Sequence, residues 1–140
     1  MKGLNTLIRL AKFRLDEARR QLAELERLRA SFTQGLEKLA AEVAREQQVA
    51  AQSVEPHNGY AAYARAAMAR RGTIEKSLDD LGPMLGQAEA AVTAAFQEMK
   101  RYELAEAHHR RRAEDKARKR EAAALDATAL SRFQRARQVG

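Results

Sequence analysis

The 140-residue chain has no cysteine and no tryptophan, only two prolines and seven glycines, and 5% aromatic residues. Without cysteine there is no disulfide and no thiolate metal site, and the composition fits a reducing compartment. So few aromatics speak against a globular core of ordinary make-up, and so few prolines and glycines leave few places to turn. No apolar run approaches the ~18 residues that a membrane span needs. The opening "MKGLNTLIRLAKF" sets Arg9 and Lys12 inside its apolar part and lacks a small-residue cleavage site, so it reads poorly as a signal peptide. A soluble protein without a membrane span is expected.

What is present is charge and helical periodicity. Charged residues make up 32% of the chain, and the net charge is +7. Residues 1–59 carry ten basic and eight acidic side chains; residues 60–140 carry sixteen and eleven. The excess therefore lies in the second half, where a basic patch suits an acidic protein surface, nucleic acid or anionic lipid.

A heptad runs through the first part. With Met1, Ile8, Leu15, Leu22, Arg29, Leu36, Val43 and Ala50 at position a, position d holds Leu4, Ala11, Ala18, Leu25, Phe32, Leu39 and Glu46. All but Arg29 and Glu46 are apolar. A spacing of 3.5 residues keeps one stripe facing one partner helix, as in a coiled coil. "SVEPHNGY" breaks the pattern: Pro56 disfavours helix at Glu55, and Asn58-Gly59 can take positive φ. The single sharp turn is predicted over 53–59.

Beyond it the stripe resumes at Tyr60, Ala64, Ala67, Arg71, Ile74, Leu78, Leu81, Leu85, Ala88, Val92, Ala95, Met99 and Tyr102, with Arg71 as its one polar member. A short connection makes the two helices antiparallel neighbours. The expectation is one all-α domain over 1–140, an antiparallel two-helix coiled-coil hairpin with a longer, protruding second helix. Its helices should span about 3–52 and about 60–136. The alanine-rich seam near the turn should be its looser end. Gly82-Pro83 lies inside the second stripe without shifting its register, which predicts a kink near Pro83 rather than a second turn.

The first helix is about 75 Å long and the second about 115 Å, at 1.5 Å per residue. Folding back from residue 56 sets Leu4 opposite about residue 108. There the apolar stripe gives way to "HHRRRAEDKARKRE", residues 108–121, with seven basic and three acidic side chains. An unpaired basic tail over about 109–140 is expected, a single helix supported by Ala, Lys, Arg and Glu.

Few residues invite chemistry. There is no glycine-rich phosphate loop and no cysteine nucleophile, and a two-helix structure offers no water-excluding pocket. No catalytic residue, metal site or cofactor is expected. Glu106 and His109 make a single E-x-x-H spacing, whereas a di-iron bundle needs two such pairs and further carboxylates. Arg110, Arg111, Arg112, Lys116, Arg118, Lys119 and Arg120 form the candidate partner-binding run. Nucleic acid is disfavoured by the lack of aromatics to stack on bases. Leu125, Ala129 and Phe133 follow as a short apolar face, and Leu10 and Phe13 fall at outer heptad positions of the first helix. Exposed apolar residues gathered at the open end suggest docking.

Together these features resemble the flagellar export protein FliJ family. The resemblance rests on the plan of two helices, on spaced leucines in "LNTLIRLAKFRLDEARRQLAEL", and on the closing "RKREAAALDATALSRF". In the latter, Arg120, Glu121, Leu125, Asp126, Ala129 and Arg132 stand in the matching places, with Ala127 where the family commonly has Glu. The resemblance implies a non-enzymatic coiled coil similar to the central stalk of rotary ATPases. Its open end would dock into the ring of the flagellar export ATPase, and other parts would meet the export-gate membrane protein and export chaperones. It would sit in the cytoplasm, peripheral at the inner face of the membrane. The equivalent stalk of a virulence type III secretion system, a basic coiled coil binding nucleic acid, and a structural dimerising coiled coil stay open as alternatives.

Overall fold

The computed structural model describes residues 2–52 and 58–139. It is all-α, with two helices packed against each other: α1, Lys2–Gln52, and α2, Asn58–Val139. The centre of the expected turn, 53–57, lies outside the described residues. Asn58 and Gly59, expected in that turn, instead open α2, and no described residue has positive φ. Asn and Gly are both favoured where a helix begins, because its first N–H groups have no intrahelical acceptor. At its other end α2 runs to Val139 rather than about 136. Arg137 in its last turn complements the helix dipole.

The chain divides into two compact units. One is Phe13–Phe96; the other joins Met1–Lys12 to Gln97–Gly140. In the first unit Gly35 faces Ile74: a methyl placed on Gly35 would lie 3.6 Å from Ile74 Cδ1. Nearer the ends of the two helices, Ala50 and Val49 share a small recess with Gly59, Tyr60 and Tyr63. Higher numbers on α1 thus meet lower numbers on α2, the mark of an antiparallel pair. The core here is Leu15, Leu39, Ala67, Leu81 and Leu85, all buried. In the second unit Ile8 and Ala11 are buried on α1 and Met99 on α2, with Tyr102, Glu103 and Glu106 half-buried beside them.

The seam decides burial residue by residue. Every described apolar member of both heptad stripes is buried or half-buried, whereas Arg29, Glu46 and Arg71 are exposed. Long polar side chains at seam positions carry their heads out to water, which avoids burying a charge. Arg71 Nε, for instance, donates to Glu75 Oε1 at 2.8 Å. Hydroxyls within the helices return to the backbone one turn earlier: Thr33 Oγ1 donates to the Arg29 carbonyl at 3.0 Å and Ser77 Oγ to the Thr73 carbonyl at 3.0 Å. Such bonds satisfy the hydroxyl without ending the helix. Pro83 sits inside α2, which continues through it.

Candidate docking surface

In α2 the last residue with any substantial cover is Glu106; every residue from 107 to 139 is exposed. Arg110, Arg111, Arg112, Lys116, Arg118, Lys119, Arg120, Leu125, Asp126, Arg132 and Phe133 all fall in this stretch. It also holds a strong charge imbalance: ten basic and four acidic side chains, a net +6 of the chain's +7. Residues 1–106 are close to neutral. The basic run is partly laced by its own helix. Arg110 Nη2 donates to Glu106 Oε1 at 3.2 Å, and Arg118 pairs with Asp115. Among the described residues, Arg111, Arg112, Lys116, Lys119 and Arg120 hold no ion pair. Exposed pairs of this kind contribute at most about 1 kcal/mol each, so they support the helix without fixing the side chains.

Leu125 keeps 70% of its surface exposed and Phe133 63%. Their spacing sets both on one side of α2 with Ala129, as the sequence implied. Leu10 belongs to the same compact unit as these residues and is exposed, at 43%. Phe13 is exposed too and belongs to the other unit. The lone Glu106–His109 spacing gathers nothing further: among the described residues no group of three or more His, Cys, Asp or Glu is placed to hold a metal ion.

Two features escaped the sequence reading. Leu104 and Leu130 are exposed, Leu104 at 66%. Neither lies on the seam, and a second apolar spacing beside a strong heptad is easily overlooked. The other is an open groove of about 690 Å³ in the unit Phe13–Phe96. Leu36, Leu39 and Val43 of α1 line it with Ala64, Ala67 and Met68 of α2, and Glu37 and Arg71 stand at its rim. Alanines opposite larger residues leave space that a leucine would fill. The alanine seam was a visible sign of loose packing there, but not of a groove. No helix among the described residues is long and apolar enough to cross a membrane.

The charged side chains of residues 107–139 stand in solvent, on a helix whose described residues are all exposed there. Comparison with curated proteins and with solved structures found no match. The model of the flagellar FliJ protein family, however, matches residues 1–138, nearly the whole chain. The chain belongs to the flagellar FliJ protein family.

Proposed function

We propose that this chain, a flagellar export component by its family, acts as a stalk-like coiled coil. The part of α2 beyond residue 106 docks into the ring of the export ATPase, and the paired helices help connect that ATPase to the export gate and to export chaperones. It would work at the cytoplasmic face of the membrane.

One observation carries this reading: a net +6 of the chain's +7 sits on a helical stretch whose described residues, 107–139, are all exposed. Charge of one sign steers encounter with a surface of the other sign. The exposed Leu125 and Phe133 then supply apolar area to be buried once the partner is met, at about 25 cal/mol per Å² removed from water.

The test is hydrolysis of ATP by the purified export ATPase of the same organism, with and without the full chain. Stimulation that saturates with added chain, together with direct binding, supports the proposal. An ATPase that neither binds the chain nor changes its rate rules it out.

A further inference from the structure

The charges of the exposed stretch are sorted around the helix, not only along it. At about 100° per residue, Glu114, Asp115, Glu121 and Asp126 crowd into about 140° of the circumference. The other ~220° holds seven basic residues and no carboxylate. The strongest of these are Arg112, Lys116, Lys119 and Arg120, none of which holds an ion pair among the described residues. Arg111 and Arg118 lie on the acidic side, where Asp115 already pairs with Arg118. Leu125, Ala129 and Phe133 fall on that side as well.

The acid-free side has a history along the helix. It is the side on which α2 carries Met99 and Tyr102, covered against α1. Past Glu106 the cover stops and Lys116 and Arg120 take up the same side. A helix that buries one side and then turns that side purely basic is arranged for a second occupant in the place of the first.

We propose that this acid-free side is the face that meets an acidic protein surface, which takes over from α1 along α2, while Leu125 and Phe133 on the other side meet apolar area of the same partner ring. The proposal rests on the reading that the export ATPase is the partner, and says which face of α2 meets it. A second copy of this chain is disfavoured, since it would bring like charges together. Duplex DNA also attracts a basic helix side. It offers no apolar wall, however, for Leu125 and Phe133 on the other side of the same stretch.

Two variants of equal charge separate the faces. Lys116→Glu with Arg120→Glu reverses two charges on the acid-free side; Arg111→Glu with Arg118→Glu reverses two on the mixed side. Binding of each full-length chain to the purified export ATPase is measured by surface plasmon resonance at fixed salt, with a 26-base-pair DNA duplex as a second analyte. Circular dichroism checks helix content, and the Gln versions of both pairs serve if a Glu pair disturbs it. The first pair should raise Kd at least fivefold more than the second. Equal losses from the two pairs, or a larger loss from the second, overturn the assignment of a face while leaving the ATPase reading intact. DNA binding as tight as ATPase binding, abolished by the first pair, makes nucleic acid the occupant and overturns the proposal. A wild-type chain that does not bind the ATPase brings down the reading itself, whichever face carries the charge.

Discussion

Leu15 keeps 3% of its surface exposed, while Leu25, at an equivalent seam position, is only half-buried. A two-helix pair covers a seam residue from one direction, so burial varies with what stands opposite. Leu15→Ala should therefore lower stability by about 2–4 kcal/mol, through lost transfer energy and the space left behind. Leu25→Ala should cost less than a fully buried leucine would. Ala124→Ser, in the exposed stretch, should change stability by less than about 0.5 kcal/mol. Thermal and urea unfolding decide the order; equal effects at positions 15 and 124 would mean that residues beyond 106 are packed. Glycine gives a test of the opposite sign. A Cβ on Gly35 would sit at ordinary contact distance from Ile74. Gly35→Ala should then stabilise the protein by about 0.5–1 kcal/mol, because Ala is the better helix former and nothing must move. A destabilised variant would show that the helices approach more closely at this point than 3.6 Å implies.

At the scale of the element, α2 is continuous through Pro83. Proline has no N–H to donate to the Asp79 carbonyl, and its ring crowds that turn. We propose that α2 bends there, and that Pro83→Ala straightens it and raises stability by roughly 1–3 kcal/mol. Residual dipolar couplings from residues 70–80 and 88–96 measure the angle between the two stretches; unchanged couplings in the variant would refute the bend. Much of the helical plan was legible in the sequence because one spacing governs it. The 3.5-residue stripe named the covered residues on both helices, and its three polar members proved to be the exposed ones. The sequence also set an expected end of cover on α2, since helix α1 can protect only as many residues as it has; in the structure residues 107–139 are exposed. The groove beside Ala64 and Ala67 was not, because a void depends on the shapes of Leu36, Leu39 and Val43 across the seam. Nor was the division of the basic run into faces: read linearly, Arg111 and Arg112 look alike, yet one helical step sets them on different sides.

For the molecule as a whole, the charge balance matters more than any single contact. Residues 1–106 are nearly neutral, and the excess positive charge is concentrated in a stretch whose described residues are all exposed. Such a distribution makes association sensitive to salt, because exposed charges are screened over about 8 Å at physiological ionic strength. Apolar burial is far less sensitive. The docking proposal thus has two parts with different kinetic signatures, steering by the arginines and lysines and retention by Leu125 and Phe133. Changes to steering charge act mainly on association, and changes to buried contacts act mainly on dissociation.

The most direct measurement is therefore the binding kinetics of the export ATPase with three full-length or shortened chains across a range of salt. The three are the wild type, a variant with Arg110, Arg111 and Arg112 replaced by Gln, and a chain lacking residues 122–140. The triple replacement should slow association at low salt, converge with the wild type as salt rises, and leave dissociation nearly unchanged. Removing 122–140 should leave association similar and speed dissociation. If both altered chains associate, dissociate and stimulate ATP hydrolysis as the wild type does, the basic stretch of α2 is a solvated helix and the ATPase docks elsewhere.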